Sequence, residues 1–120
     1  VRRNKYGAKK IVINDHTFAS KAEVRRYWEL LLLEKAGEIT GLELHPSYKI
    51  SKGGAIDPVT GRKMPAAKYT ADFRYYDKEE GLVVEEVKSK PTARETSYRL
   101  RRKLFLEQYG EDLNFVETIY

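Results

Sequence analysis

The sequence contains no cysteine, which excludes disulfides and thiolate metal sites and fits a reducing compartment. Its two histidines, His16 and His45, are too few for an imidazole-rich centre. A bound metal would be held by carboxylates, which suits hard ions such as magnesium or manganese. The longest apolar run, Leu30 to Leu33, falls far short of the roughly 20 residues that cross a bilayer, so no membrane partner is expected. The basic start, Val-Arg-Arg-Asn-Lys, is followed by polar residues, and no secretory leader is expected there. Four prolines and a hydrophobic fraction of 41% exclude a collagen-like or mainly disordered chain. With 120 residues there is material for one core and too little for two, so residues 1–120 are expected to form a single domain.

What is abundant is charge. Lys and Arg total 23 against 18 acids, a net charge of +5, and the excess is unevenly spread. Residues 1–10 carry Arg2, Arg3, Lys5, Lys9 and Lys10 with no acid, and the stretch from Lys88 to Lys103 holds a single acid, Glu95. Two basic clusters suit a polyanion, because each neutralised phosphate releases condensed counterions. A solvated surface would carry the same signature.

Periodicity gives a coarse order of elements. Lys9 to Ile13 reads as a strand and Asn14-Asp15 as a turn. Ser20 opens a helix whose apolar face is Val24, Tyr27, Trp28, Leu31 and Leu32, with Trp28 in the core and Gly37 as the stop. Ile39 to Leu44 and Tyr48 to Ser51 read as strands interrupted by Pro46. Residues 52–65, rich in Gly, Pro and polar residues, read as a loop. Lys68 to Tyr76 reads as one strand, Asp77 to Gly81 as a turn and Leu82 to Lys88 as the second arm of a hairpin. A helix beginning between Thr92 and Ser97 runs to Tyr109, with Leu100, Leu104 and Phe105 as anchors. A strand from Leu113 to Ile119 follows. The chain reads as one α/β domain.

On that hairpin, alternation puts Asp72 on one strand, with Glu86 and Lys88 on one face of the next. Carboxylates this close repel, which raises at least one pKa unless a cation lies between them. A divalent ion held by Asp72 and Glu86, with the Val87 backbone carbonyl in reach, would resolve the conflict. Lys88 would then orient a water or stabilise charge on a phosphate. A same-face Glu86–Lys88 ion pair of little energetic value also fits the triplet. Alternation with Lys88 favours Glu86 over its neighbour Glu85 as the ligand.

This pattern resembles the PD-(D/E)XK nuclease superfamily. More closely, Phe18-Ala19-Ser20-Lys21-Ala22-Glu23, the helix through Leu33, Tyr69-Thr70-Ala71-Asp72-Phe73, Val84-Glu85-Glu86-Val87-Lys88 and Arg101-Arg102-Lys103-Leu104-Phe105 are similar to a family of small phage-encoded proteins assigned to that superfamily. The resemblance implies a restriction-endonuclease-like αβββαβ core, a mixed four-stranded sheet flanked by helices. It makes Asp72, Glu86 and Lys88 catalytic, and it matches Glu23 to an acid that binds a second metal or a metal-bound water. Ser20-Lys21-Ala22-Glu23 also fits a capping box, and the two roles can coexist. The proline that names the superfamily is absent, since Thr70 and Ala71 precede Asp72.

The resemblance further implies a Mg2+- or Mn2+-dependent endodeoxyribonuclease that leaves 5′-phosphates. Branched or Holliday-junction DNA is the favoured substrate, cut by a homodimer in the cytoplasm of a bacterial host. Lys90, Arg94, Arg99, Arg101, Arg102 and Lys103 are the expected DNA contacts, with Arg99, Arg102 and Lys103 free to reach phosphates and Arg101 or Arg102 nearest the site. Tyr75, Tyr76 and Tyr98 are read as packing residues rather than base-stacking ones, and neither histidine is given a role. The rival expectation is a non-catalytic DNA-binding protein that retains the fold.

Overall fold

A computed structural model describes residues 10–120. Arg2, Arg3, Lys5 and Lys9 of the first basic cluster lie outside the described residues. Strands β1 (Ile11–Ile13) and β2 (His16–Phe18) pair as a hairpin. Asn14 and Asp15 both adopt positive φ, 50° and 65°. Two such residues make the turn whose twist matches its flanking strands, and Asn and Asp tolerate that region well. Helix α1 (Lys21–Lys35) starts at Ser20, whose side chain accepts a hydrogen bond from the Glu23 N–H, and Gly37 at φ 80° follows its end.

Four strands form the main sheet in the order β3 (Ile39–Leu44), β6 (Phe73–Asp77), β7 (Gly81–Lys88), β8 (Asn114–Ile119). The first two pairings are antiparallel and β7–β8 is parallel, so the sheet is mixed. A parallel neighbour needs a crossover. Here it is supplied by the short helix α2 (Lys90–Ala93) and the long helix α3 (Thr96–Tyr109). A separate antiparallel pair joins β4 (Ser47–Lys49) to β5 (Lys68–Thr70). The result is one mixed α/β unit, and no helix among the described residues is long and apolar enough to cross a membrane.

Strand β7 is central, and its side chains from Val83 to Val87 are all buried. Alternation sends Val83 and Val87 to the α1 side, where they pack with Phe18, Tyr27, Leu30, Phe73 and Tyr75. Val84 goes to the other side, joining Ile50, Tyr69, Tyr98 and Phe105. Phe105 of α3 stacks on Tyr69 with ring centroids 4.7 Å apart.

Several expectations need correction. Lys68 to Tyr76 is two strands: the Ala71 N–H turns to the Pro46 carbonyl and the Asp72 carbonyl accepts from the His45 N–H, so the chain changes partners there. The strand placed at Tyr48 to Ser51 runs from Ser47 to Lys49. On α1 the buried column is Glu23, Tyr27 and Leu30, whereas Trp28 is 47% and Leu32 69% exposed. The sheet covers a stripe narrower than the run of apolar residues, and the column at i, i+4 and i+7 is what it covers. On α3, Tyr98 and Phe105 are the buried anchors and Leu100 is exposed. Residues 52–65 are a loop, as expected, doubled back on itself by the isolated bridge of Ile56 with Lys63 and by bonds from Gly54 N–H to the Met64 carbonyl (2.7 Å) and Asp57 N–H to the Arg62 carbonyl (2.8 Å). Tyr75 and Tyr98 pack in the cores, whereas Tyr76 is exposed.

Candidate active site

Asp72 occupies the break between β5 and β6. Its N–H donates to the Glu85 carbonyl (3.1 Å), and its carbonyl accepts from the His45 N–H (2.9 Å). Its Oδ2 accepts from the Val87 N–H (2.7 Å), taking the place of a ladder bond where β6 no longer lies beside β7. A strand residue projects its N–H and carbonyl toward the same edge, so the Val87 carbonyl leaves β7 on the Asp72 side.

Glu23 is 2% exposed and reaches the same place from the first turn of α1. Its Oε2 accepts from the Ala19 N–H (3.0 Å), one residue before the cap position that a capping box would use, so the carboxylate does tie down the helix start. Its Oε1 lies 2.9 Å from His45 Nε2. Ligand-type atoms of Glu23, His45 and Asp72 all fall within 4.8 Å of one another.

Glu86 lies outside that close set and approaches Asp72 from the face of β7 that looks toward α3. Tyr69 donates to its Oε1 (2.6 Å), and its Oε2 is buried with no hydrogen bond among the described residues. Lys88 Nζ is 3.7 Å from Oε2 and 4.8 Å from the centroid of the Tyr98 ring. Its neighbour Glu85 points the opposite way, where Arg26 grips it through Nε and Nη2 and Tyr75 donates to it. Glu85 is thus neutralised away from Asp72.

Burial, followed by repulsion from Glu86 and Glu23, pushes the Asp72 carboxyl from its ordinary 3.8 up to about 9; the Val87 N–H and Lys88 oppose the rise. Burial also raises Glu86, against the pull of Lys88 and the Tyr69 hydroxyl, and Glu86 and Asp72 are within hydrogen-bonding reach of each other. Without a cation, this pair holds a proton. The sign follows from linkage: a carboxyl whose folded pKa is raised stabilises the fold fully below its unfolded pKa and loses that contribution as pH climbs through the folded value. In a chelating buffer the melting temperature should therefore fall between pH 4 and 9. The Asp72→Asn variant should show a shallower fall across the same window, read by thermal melts at fixed ionic strength.

Two clefts open on the group. One of about 460 Å³ is lined by Ser20, Glu23, Asp72, Val87, Lys88 and Thr92 among others. The other, about 260 Å³, is lined by Lys10, Phe18, Glu23, His45 and Asp72. Glu23 and Asp72 stand where the two meet. A larger hollow of about 630 Å³ on the outer face of α3 carries one acid, Glu107, and no convergent carboxylates, so it is not the candidate.

The expected site residues Glu23, Asp72, Glu86 and Lys88 are thus brought together. The expected DNA contacts divide. Lys90, Arg94, Arg99, Arg101 and Lys103 are exposed, with Lys90 and Arg94 beside the segment that lines the larger cleft. Arg102 is not free, because its Nη1 pairs with Glu117 (2.6 Å) and its guanidinium lies over Tyr98. His45 was missed by sequence reasoning. It precedes Pro46, a position that normally favours extended backbone, yet it takes φ 53°. That local conflict marks the residue only once the backbone is known.

The chain matches the family described as a protein of unknown function, DUF1064, over residues 3–118. It belongs to that family. No curated protein matches it, and neither does any solved structure. Membership in the DUF1064 family brings no named activity with it, so the chemistry has to be read from the carboxylate group itself.

Proposed function

We propose that the protein is a metal-dependent DNA endonuclease of the PD-(D/E)XK type. The observation that carries this reading is the convergence of three carboxylates, Glu23, Asp72 and Glu86, with Lys88 beside a cleft, the Glu86 Oε2 being buried with no hydrogen bond and only the Lys88 charge near it. A domain gains no stability from such crowding, whereas a divalent cation would neutralise it. The succession α1, β3, β6, β7, α3, β8 around a mixed sheet is also consistent with the αβββαβ core of that superfamily.

The donor set fits a cation. Asp72 and Glu86 would hold it, with the Val87 carbonyl on the same edge and Glu23 and His45 completing the surroundings. Carboxylate oxygens suit Mg2+ or Mn2+, and an imidazole within reach favours Mn2+. When bound, such an ion supplies Lewis-acid charge for a water nucleophile and for the scissile phosphate. Lys88, held against the Tyr98 ring and the Glu86 carboxylate, presents a positive charge to the phosphate as negative charge develops on its oxygens. The Val87 N–H fixes one oxygen of Asp72, leaving the other to face the cleft. His45 orients Glu23 through Oε1, while the Ala19 N–H holds Oε2.

The substrate we favour is branched DNA, each of two copies serving one strand. Lys90 and Arg94 lie close enough in the chain to the cleft to contact its phosphates. The test is an end-labelled four-way junction and its matched linear duplex, each incubated with Mg2+, Mn2+ or EDTA. Metal-dependent cutting of the junction alone is the expected result. Equal cutting of both would keep the nuclease and discard the preference. Binding without cutting under either metal would overturn catalysis and leave a DNA-binding protein.

A further inference from the structure

The hairpin from β4 to β5 continues outward well past the core. Its base is anchored by Tyr48 and Tyr69 against Phe105 and by the Gln108 side-chain amide on the Ile50 carbonyl. Beyond Ile50, no residue from Ser51 to Lys68 is buried. The arm is nevertheless ordered by its own bonds: Gly54 with Met64, Ile56 opposite Lys63, and a tip in which Asp57 accepts from the Val59 N–H and the Gly61 N–H. Gly53 lies so close to the returning segment that a Cβ there would stand 2.4 Å from the Ala66 nitrogen.

Two properties of this arm have no role in the fold. Between positions 49 and 68 it carries five cations, Lys49, Lys52, Arg62, Lys63 and Lys68, against the one acid Asp57, and all five are exposed. None of them makes an ion pair among the described residues. Its outer part also exposes apolar side chains to water, Val59 at 90% and Ile56 at 59%. Exposed apolar groups flanked by unpaired cations on a protruding, doubled-back loop match a nucleic-acid duplex. Cations take phosphates, and apolar tips wedge between base steps.

We propose that residues 47–70 form a DNA-clasping arm, in which Lys52, Arg62 and Lys63 contact phosphates and the Pro58–Val59 tip inserts at a base step. The proposal takes its polymer, DNA, from the function proposed above, but it makes an interaction separate from the carboxylate site. It gives the protein a second grip on an arm of a branched substrate and a means of opening stacked bases.

Binding is measured in EDTA, where cutting cannot intervene, by fluorescence anisotropy on a labelled four-way junction and on a duplex across a salt series. The same DNAs carry 2-aminopurine to report unstacking. The Lys52→Ala/Arg62→Ala/Lys63→Ala variant should lose affinity by at least about tenfold at moderate salt. Its slope of log K against log salt should be shallower by about 2 to 3, at roughly 0.9 per phosphate released. Val59→Ser should leave that slope unchanged and abolish the 2-aminopurine signal. A triple variant with native melting temperature and the wild-type slope would overturn the arm. A Val59→Ser variant that loses only self-association in sedimentation would overturn the wedge and make the tip a contact between copies. Wild-type protein that binds with the predicted variant losses but does not cut with Mg2+ or Mn2+ would sink the nuclease and keep the arm.

Discussion

Asp72→Asn should reduce metal-dependent cleavage by about 10³-fold or more while making the metal-free protein more stable. An effect of this size corresponds to about 4 kcal/mol of lost transition-state stabilisation. Asn is the informative replacement because its amide oxygen can keep the bond from the Val87 N–H, which Ala would leave unpaired. Its neutral amide would then face Glu86 and Glu23, whose charges oppose ionisation of Asp72. Replacing a buried carboxyl that must take up a proton at neutral pH should raise stability in EDTA by on the order of 1–2 kcal/mol. The melting temperature should rise by about 5–10 °C. Wild-type protein should recover part of that difference when Mg2+ or Mn2+ is added, and Asp72→Asn should not. Both halves are measured on one preparation, by melts with and without metal and by cleavage of the junction. Normal cutting by the variant would remove Asp72 from the chemistry. A variant less stable than wild type in EDTA would mean that the carboxylates are not in conflict.

Strand alternation alone placed Glu86 and Lys88 on one face and Glu85 on the other, because a period of two leaves no freedom once a strand is buried on both sides. The helix of residues 21–35 was legible from its period, but the stripe it buries was not: the column is Glu23, Tyr27 and Leu30. What was illegible was set by contacts between distant segments. The break at Ala71 and Asp72 arises because β5 pairs with β4 and β6 with β3, a change of partner that a run of aromatic residues and Thr does not announce. Trp28 looked like core because it is large and apolar, but the sheet reaches only as far as Tyr27 and Leu30. His45 enters the group through a left-handed backbone immediately before Pro46, against the preference of that position. Arg102 lost its freedom to Glu117, which lies on the strand after the crossover. In each case the deciding partner is remote in sequence.

Arg26→Ala should destabilise the fold by about 3–5 kcal/mol, toward the lower end because the Arg26 side chain is 31% exposed and partly screened. Glu85 is 1% exposed on the α1 side of the central strand, and Arg26 binds both of its oxygens. That hydrogen-bonded contact, reinforced by the charge of Glu85, holds the Arg26 guanidinium above its ordinary pKa. With Arg26 gone, the carboxylate keeps the Tyr75 hydroxyl but has no cation, and burying an unpaired charge is what costs most. Urea unfolding should show the midpoint fall, and Arg26→Ala/Glu85→Gln should recover most of the loss, since a neutral amide has less need of a cation. A single variant within about 0.5 kcal/mol of wild type would show that the pair is not an anchor, as is common for screened pairs. The consequence for the site follows from the helix. Arg26 is three residues after Glu23, so the bond to Glu85 fixes α1 against β7 and thereby sets Glu23 relative to Asp72 and Glu86. The double variant should therefore regain stability without regaining full cleavage, remaining about tenfold or more below wild type, as supporting contacts around a metal commonly do. Recovery of both together would mean that Glu23 is positioned by its own bonds to Ala19 and His45.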